Sequence, residues 1–171
     1  MSSDNLVIFE EDVSAMDREL ARFLDESGSD CALLVHRDGQ LVAKRGHTQR
    51  LDTTALAALA AGAFASTREI ARLVGEPEFS VLFHQGVEEH IHVSLIADHM
   101  MLVAIFDDRT TIGMVRLYAS EAAPRLREVA NRMQARGFSG PGGLPARAPE
   151  GSLFAPDSSL VSEGRDERPA T

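Results

Sequence analysis

Seven consecutive apolar side chains, Met100-Met101-Leu102-Val103-Ala104-Ile105-Phe106, constrain the fold of this chain more than any other segment. The run is far too short to span a bilayer, and it shows no alternation of apolar and polar residues. A strand turns successive side chains to opposite faces of its sheet, so a strand apolar throughout needs cover on both faces. Cys31-Ala32-Leu33-Leu34-Val35 is nearly as continuous and asks for the same central place. Helices must therefore lie on both sides of a sheet.

The connections set the strand directions. Phe79 to His84, His90 to Ala97 and Met100 to Phe106 read as strands joined by Gln85-Gly86-Val87-Glu88-Glu89 and Asp98-His99, links too short for anything but antiparallel pairing. Cys31 to His36 and Leu41 to Lys44 flank Arg37-Asp38-Gly39-Gln40, whose Asp-Gly pair favours the positive backbone angles of a tight hairpin. Glu10 to Gly28 is an amphipathic helix with an acidic first turn and Val13, Met16, Leu20, Phe23 and Leu24 on one face. A last helix, beginning at Thr110-Thr111, carries Ile112, Val115, Ala119, Ala122, Leu126, Val129 and Met133 at spacings of three and four; Pro124 inside it predicts a kink. The fold class is α/β (α+β), in the order α-β-β-α-β-β-β-α: a five-stranded antiparallel sheet sandwiched by helices, with no internal repeat.

Between the two groups of strands lies a helix whose side chains are small on nearly every side, from Leu51 through Ala65 and on to Gly75. Asp52 or a neighbouring threonine suits its N-cap, and Gly75 supplies the left-handed residue past its end. Leu56, Leu59, Ala63 and Ile70 recur at helical spacing and are expected to cover a core, leaving Ala58, Ala61, Gly62 and Ala65 on outward faces with almost nothing to solvate. A surface helix ordinarily carries charge there. Either this helix is wedged between two layers of its own domain, or it is a docking platform for a second protein.

Composition narrows the function. The 171 residues suit one domain, placed at 6–136, followed by a tail at 137–171 rich in Gly, Pro, Ala, Ser and charge that is expected to be disordered. Ser152-Leu153-Phe154-Ala155-Pro156 and Leu160-Val161 are apolar islands within that tail. A net charge of -9 argues against a nucleic-acid partner. The lone Cys31 reads as a small buried hydrophobe, which together with an N-terminus lacking a basic start and apolar stretch predicts a cytoplasmic protein.

No phosphate-binding loop, nucleophile elbow or zinc spacing is present, so neither a catalytic residue nor a cofactor is expected. His90 and His92 project from one face of their strand but lack a third ligand, and two polar residues on a strand face need no metal. Asp107-Asp108-Arg109-Thr110-Thr111 sits where a strand turns into a helix and is expected to cap amides there. Arg45, Arg50, Arg68, Arg72 and Arg109 are candidates for an arginine delivered to a nucleotide in another protein, a contribution worth roughly a thousandfold in phosphoryl transfer.

The element order, together with Leu51-Asp52-Thr53-Thr54, Leu59-Ala60-Ala61-Gly62, Leu73-Val74-Gly75-Glu76, Phe83-His84-Gln85-Gly86 and Phe106 through Arg116, closely resembles the roadblock/LC7 family, and within it the bacterial MglB type. The resemblance runs from about Leu6 to Arg136. It implies a non-enzymatic homodimer that binds a Ras-like GTPase of the MglA type and accelerates its GTP hydrolysis, in cell polarity or motility and so in part at a cell pole. Such regulators reposition the switch residues of the GTPase instead of lending an arginine. A scaffold of the same fold that binds a GTPase without changing its rate is the alternative, and a small-ligand sensor domain a third reading.

Carried onto this chain, the resemblance places a GTPase-binding platform at Ala58, Ala61, Gly62, Ala65, Ser66 and Glu69. It places the dimer interface at Ala57, Phe64 and Arg68 of the helix and at Phe79, Val81 and Phe83, where third strands meet edge to edge. Arg68 and Glu69 depart from the small residues usual in this region of the family.

Overall fold

The computed structural model describes residues 10–137. Its elements follow the expected order: α1 (Glu10–Ser27), β1 (Cys31–His36), β2 (Leu41–Gly46), α2 (Thr53–Val74), β3 (Val81–Gln85), β4 (His90–Ala97), β5 (Met100–Phe106) and α3 (Ile112–Gly137). The five strands form one antiparallel sheet in the order β2-β1-β5-β4-β3. The two runs without alternation, β1 and β5, lie side by side at its centre, and every residue in them is buried.

Each face of the sheet has its own core. On one side Ala32, Leu34, Ile96, Leu102 and Phe106 meet Met16, Leu20 and Phe23 of α1 and Val115, Leu126 and Met133 of α3. On the other, Leu33, Val35, Val93, Val103 and Ile105 meet Ala57, Ala60, Ala61 and Phe64 of α2. Each fully buried large aliphatic or aromatic side chain contributes about 1.5–3 kcal/mol, so both layers are needed to hold the central strands. α1 and α3 are also joined by charge: Asp12, 1% exposed, accepts from Arg132 Nε at 3.1 Å and from Arg136 Nη1 at 3.3 Å. Buried carboxylates persist only with such partners.

Local chemistry explains the element ends. The Asp52 side chain accepts from the Ala55 amide to cap α2, and Gly75, at φ 81°, closes it in the left-handed conformation. At the hairpin between β1 and β2, Gly39 takes φ 94° and the Gln40 amide donates to Asp38 Oδ1. Thr111 Oγ1 accepts from the Met114 amide at the start of α3, and Thr110 Oγ1 donates to the Ser27 carbonyl, fastening that turn to the end of α1.

The structure shifts several expected boundaries. β2 continues beyond Lys44 to Gly46, where φ is 98° and an added Cβ would sit 2.3 Å from the Asp30 carbonyl oxygen. β3 begins at Val81 instead of Phe79, and α3 at Ile112 instead of Thr110. α3 carries Pro124 without ending there. On α1, Met16, Leu20 and Phe23 are fully buried but Val13 is 40% exposed. The predicted tail at 137–171, with its two apolar islands, falls almost wholly outside the described residues, as do the first residues of the predicted domain.

A larger correction concerns α2. Leu59 and Ile70, expected in the core, are 71% and 52% exposed, and Ala61, expected outside, is 5% exposed. The sheet beneath already presents large side chains at Leu33, Val35 and Val103, so the helix turns a face of alanines and one Phe64 toward it. Close packing selects the face that fits, which here is not the face with the larger apolar residues.

Candidate functional site: the outer face of the second helix

At about 100° per residue, the inward face of α2 gathers Thr53, Ala57, Ala60, Ala61, Phe64 and Ala71. The outward half divides into two flanks. Ala58, Gly62, Ala65 and Glu69 stand on one; Leu59, Ala63, Ile70 and Val74 stand on the other; Ser66 and Leu73 lie between them. Leu73 and Val74 are 87% and 64% exposed. One flank is thus stripped to small side chains while the other presents aliphatic ones to solvent.

The bareness of the first flank is not required by the chain's own packing. A Cβ added at Gly62 would meet nothing within 4 Å, although glycine inside a helix costs about 1 kcal/mol relative to alanine. Ala65 and Ser66 are exposed, with Ser66 Oγ donating back to the Gly62 carbonyl at 3.0 Å. Glu69 pairs with Arg72 at 2.8 Å, both side chains well exposed, so this pair adds little to stability. Ala58 does have a neighbour, since a Cβ at Gly39 would come 3.1 Å from its Cα.

The residues assigned to a dimer interface separate into two groups. Ala57 and Phe64 are 0% and 4% exposed beneath their own helix, and Ala61 shares their burial, so these three side chains pack the core of this chain and do not present a surface. Arg68 donates to Glu78 Oε1 at 3.1 Å, an oxygen also reached by Arg37 at 3.4 Å. Phe79 is half-buried, while Val81 and Phe83 are each 38% exposed on β3, the edge strand, whose outer side has no neighbour among the described residues. Phe83 stacks on Phe106 with ring centroids 6.2 Å apart, which steadies that edge.

Most of the remaining candidates are engaged within the fold. His90 and His92 do share a face, but His90 Nδ1 accepts from the Gly86 amide at 3.2 Å and Nε2 lies 3.1 Å from Asp108 Oδ1, engaging both ring nitrogens. Among the described residues, no three His, Cys, Asp or Glu side chains group as a metal site. Arg109 bonds Asp107 and Asp30, and its backbone amide and guanidinium hold the Asp107 carboxyl below the usual carboxylate range. Arg45 pairs with Asp17, Arg68 with Glu78 and Arg72 with Glu69, so four of the five candidate arginines are already engaged. Burial pushes the Cys31 thiol up to about 11, as suits an inert core residue. No helix among the described residues is long and apolar enough to cross a membrane.

Sequence reasoning missed Leu59, Ile70, Leu73 and Val74 as surface residues. Hydropathy alone did not set which side of this largely apolar helix turns inward, and one chain covers only part of it.

Comparison with known proteins agrees with this architecture. The family model of the roadblock/LC7 domain matches residues 16–106. Myxococcus xanthus MglB is 34% identical, with 75% of this chain and 96% of that one covered and a TM-score of 0.69. The gliding protein MglB of Thermus thermophilus is 30% identical over 75% of this chain and 97% of its own, with a TM-score of 0.70. An MglB in a tetrameric arrangement is likewise 30% identical over 75% and 97%, with a TM-score of 0.71. A comparison with curated proteins found no match. The chain belongs to the roadblock/LC7 family, and within it to the MglB type.

Proposed function

We propose that this protein is a regulator without an active site of its own, which binds a Ras-like GTPase of the MglA type as a homodimer in the cytoplasm and stimulates its GTP hydrolysis. The observation that carries the reading is the outer face of α2: apolar on one flank, bare on the other, and not required in that form by the chain's own packing. The aliphatic flank, Leu59, Ala63 and Ile70, suits the same helix of a second copy, with β3 edges meeting through the strand that bears Val81 and Phe83. The bare flank, Ala58, Gly62, Ala65 and Ser66, with Glu69 at its end, suits close approach by the GTPase. Ala57, Ala61 and Phe64 support both surfaces from beneath.

The engagement of four candidate arginines by the chain's own carboxylates supports a mechanism that lends no arginine. The dimer instead binds one arrangement of the GTPase switch regions more tightly than others and so raises the population in which the GTPase's own catalytic residues are placed. Kinship with MglB proteins supports the choice of partner and a role in polarity or motility.

The test is binding of a GTP-loaded MglA-type GTPase from the same organism to this protein and to Ala65→Arg. The parent should form a complex and the variant should not, while remaining a folded dimer. Equal binding by both would refute the platform. Binding by the parent with no change in hydrolysis rate would make the protein a scaffold.

A further inference from the structure

On the opposite face of the sheet from α2, a groove of about 500 Å³ lies between α3 and the strands β3 and β4. Its floor holds His92 and Ser94, two apart on β4 and therefore on one face, 1% and 9% exposed. His92 Nδ1 and Ser94 Oγ have no hydrogen-bond partner among the described residues. Buried polar atoms are bonded in the great majority of cases, so two unpaired ones on residues that line a single groove mark a place where something else supplies the bonds.

The walls say what charge that occupant bears. Arg116 and Arg127 line the groove and, among the described residues, no carboxylate does, in a chain whose net charge is -9. Among the described residues most arginines pair with an acid, but Arg116 makes no ion pair, and Arg127 is aimed by its Nε donating to the Ile96 carbonyl at 2.7 Å, which leaves both of its terminal nitrogens unspent. Burial, with Arg116 second, holds the His92 ring down to about 4, so it stays neutral and offers one donor and one acceptor instead of a third charge.

Spacing gives the shape. Arg116 and Arg127 are eleven residues apart on α3, almost the same direction around the helix and roughly 16 Å along it. Between them the wall is Leu117, Ser120 and Ala123, small or apolar. A volume of 500 Å³ is that of ordinary small-molecule sites.

We propose that this groove binds an elongated small molecule carrying an anionic group, phosphate or carboxylate, at each end. Arg116 and Arg127 take the two ends, where guanidinium forks bind oxyanions well. His92 and Ser94 bond polar groups in its middle. The site lies on the opposite face of the sheet from the α2 surface and shares Val81 with the β3 edge proposed to meet in the dimer, so ligand and GTPase bind opposite faces of one sheet.

The experiment is titration of the full-length protein, followed by the amide and imidazole NMR signals of His92 and Ser94. Two-ended probes are pimelate for carboxylate and fructose 1,6-bisphosphate for phosphate; one-ended comparators are acetate and inorganic phosphate. At least one two-ended probe should shift these signals saturably and bind about tenfold tighter than its comparator, and the better of the two identifies the anion. Arg116→Ala should weaken it about tenfold, and Arg50→Ala, removing an exposed arginine elsewhere, should leave it unchanged. The proposal fails if no probe saturates, which would leave water as the partner of His92 and Ser94. It also fails if one-ended anions bind as well, or if Arg50→Ala weakens binding as much as Arg116→Ala.

Discussion

Replacing Leu59 and Ile70 together by glutamine should turn the proposed dimer into a monomer at micromolar concentration. Glutamine keeps helix propensity and side-chain length, so the perturbation is confined to surface apolarity. Full burial of such an aliphatic side chain is worth about 2 kcal/mol; scaled by exposures of 71% and 52%, the gain is about 1.4 kcal/mol for Leu59 and about 1 kcal/mol for Ile70. Twofold symmetry counts each residue twice, giving about 5 kcal/mol, or between three and four powers of ten in the dimer dissociation constant. Sedimentation equilibrium of parent and double variant reads this directly, and circular dichroism melts check that the monomer remains folded. A dissociation constant changed less than about tenfold would place the aliphatic flank outside the interface.

Other substitutions separate fold from function. Gly62→Ala should raise stability by about 1 kcal/mol in urea titrations, since nothing lies within 4 Å of the added Cβ, yet weaken GTPase binding. Gly46→Ala should do the reverse, lowering stability by about 2 kcal/mol or more because of its φ of 98° and the Asp30 carbonyl. Phe64→Ala, removing a side chain 4% exposed, should cost about 3–5 kcal/mol and lower the melting temperature. Because the folded-state pKa of His92 is depressed to about 4 from 6.5, the unfolded chain binds the proton first as pH falls, and stability is lost from 6.5 toward 4. Urea midpoints measured across that window should slope upward with pH, and His92→Asn should flatten the slope; an unchanged slope would show that the ring is not held neutral.

Much of the fold was legible because the signals were local. Uninterrupted apolar runs marked β1 and β5 as central, short links made the sheet antiparallel, and Asp52 and Gly75 marked both ends of α2. The family resemblance rested on motifs in the same segments. The rotation of α2 was not legible from hydropathy, because which side of an apolar helix turns inward depends on the relief of the sheet beneath it. Ala57, Ala61 and Phe64 fit between Leu33, Val35 and Val103, and Leu59 and Ile70 were left outside. The groove was out of reach for a different reason. His92 and Arg116 are 24 positions apart, and only the packing of α3 on β4 gives them a common surface.

Faster hydrolysis of GTP by a partner GTPase is the activity proposed for this protein. A single-turnover time course with a GTP-loaded MglA-type GTPase from the same organism, with and without the full chain, reads that activity. GTP should decay faster as this protein is added, to a saturating rate, and the acceleration should be lost with Ala65→Arg. A decay unchanged by a saturating amount of the bound protein would rule out GTPase activation.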